Sequence, residues 1–356
     1  MAPLVRCSIW HENNGVMTEI RTTEMKGSAY WYGPKLKTTD DWRRHLSDKE
    51  ASELLSAVSA NRGRDVREIN TSNFPLPRLS RVLKELAEQV DRGLGLTLLE
   101  GVPVQEMDED DAAMALWGMG QYVGRPQIQD AAQSLLHHVR DKREGGWEEN
   151  PNRRVYETNS EQVFHTDGGD MVMLLCRRAA KSGGTSRMVS AVTLFNEIIK
   201  RAPELAPVVQ APFHVDARGQ QLPGRPRCQV HPIFIEHAGR MNVLHKRHYI
   251  DTAQRFEEVP ALSEEQTRAL DLIDEICTDP DVQLNFDMKP GDIQMACNFT
   301  ILHSRDAFED FPDLADRRHM LRLWLGLKEG RPLPEVYRET REYGPLFEIE
   351  GRASQS

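Results

Sequence analysis

At 356 residues, with 28% charged and 39% apolar side chains, the chain has the makeup of a globular protein that buries a core, and it carries no low-complexity tract or internal repeat. A net charge of −10 argues against non-specific nucleic-acid binding, which needs a basic surface to displace counterions from phosphates. Five cysteines without a C-x-x-C pair suit free thiols in a reducing compartment, no run reaches the roughly 18 apolar residues of a membrane span, and residues 1–17 lack a signal peptide's apolar core, so a cytoplasmic protein is expected.

The first thirty residues show no clear period, and Trp31-Tyr32-Gly33-Pro34 reads as a turn. Ser47-Asp48-Lys49-Glu50 has the signature of a capping box, and Ala51, Leu54, Leu55 and Val58 behind it recur at helical spacing. Helices are also predicted over 79–90 and 108–123, with a short buried strand over 94–99 between them. From about Gln127 the pattern shifts to short strand candidates over 135–139, 155–158, 171–176 and 186–192. A helix follows at 194–200, a hairpin over 229–236 and 241–244, and a capped amphipathic helix over 263–277. Strand-like runs at 282–286, 292–296, 300–303 and 318–327 close the pattern. One mainly β domain with flanking helices is expected over 1–356: helix-rich packing over 1–125, a jelly-roll core over 126–328 with a helical insert near 263–277, and a peripheral tail over 329–356 rich in Glu, Arg and Pro.

Phe164-His165-Thr166-Asp167 is the most informative stretch. In a strand, alternate side chains share a face, so the His165 imidazole and the Asp167 carboxylate point the same way. With His303 as a third, distant ligand they would form a 2-His-1-carboxylate triad, the donor set of non-haem iron(II). Each histidine alone is as well explained as a core imidazole bonded to a carbonyl, and His137, His138, His214, His231, His237, His245 and His248 are rival ligands. In the run 317–325, Arg322 shares a strand face with Met320 and Trp324, so its guanidinium would sit in apolar surroundings and demand a carboxylate, from the protein or from a ligand. Arg318, four residues earlier on that face, could be a surface charge, and Ser186 follows the Gly183-Gly184-Thr185 turn. Arg140, Tyr156, His137, His231, Arg247, Tyr249 and Asn159 are pocket candidates by nearness in sequence alone.

Taken in order, Phe164-His165-Thr166-Asp167, Lys181-Ser182-Gly183-Gly184-Thr185-Ser186, Asn298 to His303 and Arg317 to Arg322 resemble the taurine dioxygenase-like family of iron(II)- and 2-oxoglutarate-dependent oxygenases. The resemblance spans 155–327 and implies a double-stranded β-helix in which His165, Asp167 and His303 bind Fe(2+). It further implies that Arg322 pairs with the distal carboxylate of 2-oxoglutarate, with Ser186 and Arg318 also on the co-substrate, and that Asn159 and Asn298 lie near substrate. The implied reaction uses O2 to hydroxylate an unactivated C–H bond of a small molecule, releasing succinate and CO2, with no nucleic-acid or membrane partner and a homodimer as an open option. A zinc-dependent hydrolase on the same ligands, or a jelly-roll module that binds a metal and an organic acid without catalysis, are the alternatives.

Overall fold

A computed structural model describes residues 7–10, 17–141, 158–221 and 224–349. The expected strand over 155–158 and the pocket candidate Tyr156 therefore fall wholly or largely outside the described residues. Two sheets face one another. The larger has the order Arg43–His45, Leu96–Glu100, Ile293–Cys297, Met171–Arg178, His319–Gly326, Arg125–Pro126, and Leu136–Val139 also pairs with His319–Gly326. The smaller runs Leu284–Phe286, Ser186–Ser190, Ile301–Arg305, Gln162–His165. All pairings are antiparallel except that of Arg43–His45 with Leu96–Glu100.

Alternation along the strands assigns each residue to a layer. Met171, Met173, Leu175, Leu321, Leu323 and Leu325 face outward onto helices Asp48–Ser59, Leu79–Arg92 and Glu109–Val123, all in one buried cluster. Val172, Cys176, Met320 and Trp324 face inward and meet Met188 and Ile301 of the smaller sheet. The larger sheet is therefore apolar on both faces, as a covered sheet must be. Each fully buried leucine adds about 1.5–3 kcal/mol of transfer free energy. The smaller sheet turns Phe164, Val189 and Leu302 outward onto helices Ala191–Arg201 and Glu264–Thr278. The same parity turns His165 and His303 inward, where they stand opposite each other across the strand pair.

Both predicted capping boxes form, at Ser47 with Glu50 and at Ser263 with Gln266. The expected turn at Trp31-Tyr32-Gly33-Pro34 is instead the start of a one-turn helix, Gly33–Leu36, which proline's fixed φ favours at the first turn. The single strand expected over 229–236 is two: Cys228–Pro232 pairs with Pro212–Asp216, while Phe234–His237 pairs with Arg240–Val243.

The expectation of a peripheral tail is overturned over 330–349. Tyr337, Tyr343 and Leu346 are buried in the cluster beneath the helices, and Tyr343 donates its hydroxyl to the Asn298 carbonyl at 3.0 Å. The charges that look solvated in sequence are paired inside. Arg331 reaches Asp91 at 3.4 Å and donates to Thr300 Oγ1 at 3.0 Å; Glu342 accepts from Lys246 Nζ at 2.6 Å. Burial alone would raise the Glu342 carboxyl, but Lys246 and Arg341 hold it well below the usual range. A depressed carboxyl contributes stability above its unfolded value of about 4.3, lost as pH falls toward the lower folded value. Glu342→Gln, which leaves the Lys246 ammonium unpaired, is expected to destabilise the protein at pH 7 by about 3–5 kcal/mol and to flatten the acid limb of its melting temperature against pH, both read by thermal denaturation.

Candidate active site

His165 ends its strand, and the chain then turns at Gly168-Gly169. A Cβ on Gly168 would meet the Trp324 ring at 2.6 Å, and Gly169 sits at φ +76°. Neither position accepts a side chain without rearrangement. Asn298, wholly buried, donates its amide to the carbonyls of Gly168 at 2.6 Å and Gly169 at 3.2 Å. It is thus a clasp on the turn that aims Asp167 and has no surface for substrate, contrary to the sequence expectation. From the other side Thr166 donates its backbone N–H to the His245 carbonyl at 3.0 Å, and Lys246 bridges to His165.

The donor atoms of His165, Asp167 and His303 lie within 4.8 Å of one another. His165 Nε2 is 3.8 Å from Asp167 Oδ1, His303 Nε2 is 3.8 Å from Asp167 Oδ2, and the two imidazole centroids are 4.4 Å apart. Neighbouring ligands of a six-coordinate ion with bonds of about 2.1 Å lie about 3 Å apart, so modest side-chain motion closes the triad. His165 Nδ1 lies 2.9 Å from the Val163 carbonyl, to which it donates, so Nε2 carries the lone pair, presently accepting from the Gln162 amide at 2.9 Å. Burial, reinforced by His303, pushes His165 down to about 3, and burial likewise lowers His303. Both imidazoles are neutral donors at pH 7. Burial opposes ionisation of Asp167, but Arg322 and the imidazoles outweigh it and hold the carboxyl well below its usual range. The residues present therefore fit an octahedral iron(II) ion held on one face.

Arg322 is inward and buried, as its strand parity predicts. Its Nη1 lies 3.3 Å from both Asp167 oxygens, its Nε donates to Gln129 Oε1 at 2.8 Å, and its guanidinium lies 5.0 Å from the Trp324 ring centroid. It faces Asp167. Arg318, expected as a possible surface charge, is 4% exposed, with its guanidinium over the Phe308 ring. It lines a narrow cavity with Ser186, Asp167, His303, Arg322 and Arg305. Arg305 is 7% exposed, and its Nη1 has no hydrogen-bond partner. Burial lowers both groups, Arg305 to about 9 with Arg318 contributing, and Arg318 to about 10. Among the described residues, no carboxylate lies within ion-pair distance of either guanidinium. The sequence signal for Arg305 is its two-residue step from His303 along one strand.

A second cavity, of about 310 Å³, opens on the other side of His165 and Asp167, lined by Arg218, Lys246, Arg247, Tyr249, Trp324 and Arg341 among others. Arg247 and Tyr249 are pocket residues as expected, although Arg247 is bound by Asp251, Asp271 and Asp274. Arg341 donates to Gln220 Oε1 at 3.0 Å, but its Nη2 is buried without a partner. Asn159 is exposed and lines neither cavity, Arg140 pairs with Glu109, His137 with Asp130, and His231 lies 3.0 Å from the Pro232 carbonyl.

The family model described as taurine catabolism dioxygenase TauD, TfdA family matches residues 62–324. The chain is 29% identical over 325 residues to FR-33289 synthase of Streptomyces rubellomurinus (strain ATCC 31215), covering 89% of this chain and 95% of that protein. It is 30% identical over 201 residues to a uridine-5'-phosphate dioxygenase of a Streptomyces species, covering 50% of this chain and 68% of that one. The fold matches that of asparagine oxygenase in complex with Fe(II), 2S,3S-3-hydroxyasparagine and succinate, with a TM-score of 0.62, 16% identity, and coverage of 81% of this chain and 94% of that one. The chain belongs to the TauD, TfdA family, and it is a 2-oxoglutarate-dependent non-haem iron oxygenase.

Because Asp167 compensates Arg322, Asp167→Ala should destabilise the metal-free protein by about 3–5 kcal/mol, and Asp167→Ala/Arg322→Met should recover most of that, in denaturant titrations of all three variants.

Proposed function

We propose that this member of the TauD, TfdA family hydroxylates an unactivated C–H bond of a small organic anion, with release of succinate and CO2. The buried pair Arg305 and Arg318 beside the triad carries this proposal, since two desolvated guanidiniums with no carboxylate within ion-pair distance among the described residues form a cradle for an anion. The distal carboxylate of 2-oxoglutarate would rest there, on Arg318, Arg305 and the Ser186 hydroxyl. Arg322, engaged with Asp167, orients the metal ligand and screens the carboxylates that gather on the metal side. This assigns to Arg318 the part that the family resemblance gives to Arg322.

His165 Nε2, His303 Nε2 and Asp167 would hold the iron, which with 2-oxoglutarate and O2 supplies the oxidising power needed to remove hydrogen from an unactivated carbon. The protein's own residues do the rest. Gln162 and the Val163 carbonyl set the His165 ring, Asn298 and Lys246 fix the strand ends that bear the ligands, and Trp324 lines the larger cavity beside Arg322. Among the described residues, the buried or nearly buried charges that line the two cavities are mainly basic, with Arg218, Arg305, Arg318, Arg322, Lys246 and Arg341 set against Asp167 and the neighbouring Glu342 and Asp216. Iron(II) and the co-substrate dianion balance each other, so the positive surplus remains for the substrate. Arg341, with its unpartnered Nη2, is the residue placed to meet an anionic group. The relative named for uridine-5'-phosphate carries such a group in its substrate's name, and the asparagine oxygenase complex pairs a hydroxylated product with succinate. A zinc hydrolase on the same triad leaves the Arg305 and Arg318 cradle without a role.

Under anaerobic conditions, iron(II) followed by 2-oxoglutarate should give the visible charge-transfer band of a chelated keto acid. His303→Ala should abolish it, and Arg318→Ala should weaken 2-oxoglutarate about 100-fold, as loss of a buried charged hydrogen bond predicts. No band in the wild type rejects the assignment of the triad, and unchanged 2-oxoglutarate affinity in Arg318→Ala rejects that of the cradle. In a screen of O2 consumption, phosphate-, phosphonate- or sulfonate-bearing compounds should stimulate turnover in the wild type and far less in Arg341→Ala. Stimulation by neutral or cationic compounds alone would reject an anionic substrate.

A further inference from the structure

We propose that Glu109, His138 and His319 form a second metal site, for zinc or a similar divalent transition ion, on the outer face of the larger sheet and separate from the iron triad. Leu321, the cross-strand partner of His138, lies in the outward cluster, so His138 also projects away from the interior that holds His165 and His303. Glu109 comes from the first turn of helix Glu109–Val123, and His319 begins its strand directly after Arg318. The three donors lie within 4.8 Å of one another.

Their close contacts are short of protons. His138 Nδ1 is 3.0 Å from His319 Nε2 and 3.1 Å from Glu109 Oε1. A neutral imidazole nitrogen either donates or accepts. If His138 Nδ1 carries the proton, the carboxylate and the His319 lone pair compete for it. If it does not, its own lone pair faces a carboxylate oxygen at 3.1 Å. One cation at the centre satisfies all three donors together. His319 is fully buried, and its other nitrogen, Nδ1, lies 3.8 Å from Glu109 Oε2 without a hydrogen bond. Two imidazoles and one carboxylate are zinc-type ligands. Zinc bonds of about 2.0–2.1 Å give tetrahedral edges of about 3.3–3.4 Å, within a few tenths of the two short contacts. The side chains of His138 and Glu109 are each 36% exposed, leaving the fourth position to water.

Arg140, 3.5 Å from Glu109, and the nearby Arg177 and Arg178 oppose any cation here, a proton included. Burial and these charges keep His319 near 3, and burial lowers His138, so both rings offer lone pairs at neutral pH. A divalent ion, unlike a proton, bonds to all three donors. Bound there, it would tie together the helix, the edge strand Leu136–Val139 and the start of the strand that bears Arg322, beside Arg318.

Metal-stripped protein titrated anaerobically with cobalt(II) tests this through visible absorption and bound-metal stoichiometry. The wild type should take two equivalents, one with the intense band of four-coordinate cobalt. His138→Gln and Glu109→Gln, both at partly exposed positions, should each lose that band and one equivalent. Both should keep the equivalent that His303→Ala abolishes. A single equivalent in the wild type, or two equivalents retained in both variants, overturns the proposal.

Discussion

Everything in this molecule turns on charge held between two sheets. Strand parity sends Arg305 and Arg322 into the same interior as Val172 and Trp324, Asp167 enters it just past the end of its strand, and Arg318 joins them at the strand's entrance. An isolated ion in that setting is several kcal/mol less stable than in water, so each must find a counter-charge. Asp167 meets Arg322 and two neutral imidazoles; among the described residues Arg305 and Arg318 have no carboxylate within ion-pair distance, and they share the Phe308 ring, with Arg305 Nη2 donating to the Thr158 carbonyl at 3.4 Å. A fold tolerates that arrangement when its ligands complete the balance, and in the proposed function the metal and the co-substrate do so within one site. Each would enter a field that the other has corrected.

Rigidity comes from outside the cavity. The inner strands are clamped by helices on both outer faces and by the segment 330–349, whose aromatic residues pack under the same helices. That segment also reaches the site itself, because Glu342 holds Lys246, and Lys246 bridges to His165. A late segment of the chain thus helps to fix an imidazole far from it in sequence.

Much of this was legible in the chain. A two-residue step placed His165 and Asp167 on one face, and the anomaly of an arginine in an apolar strand marked Arg322 as buried. Both hold because parity is a local property of an extended backbone. Depth is not local. Arg318 and Arg305 look like surface charges until opposing strands enclose them, and nothing in the residues themselves distinguishes the two fates. The segment after 329 misled for a related reason: its charges resemble a solvated tail, but their partners, Asp91 and Lys246, lie far off in sequence. Asn298 shows the opposite error, since a polar residue just before the strand of His303 binds backbone carbonyls.

Trp324 lines the larger cavity, with the Arg322 guanidinium 5.0 Å and that of Arg341 5.8 Å from its ring centroid. One aromatic ring therefore senses the positive charge of Arg322, which faces Asp167, and that of Arg341 at once. The excited state of an indole is more dipolar than its ground state, so its emission energy follows the local electric field. Of six tryptophans in the chain, this one is a built-in optical probe of the field in which the chemistry takes place.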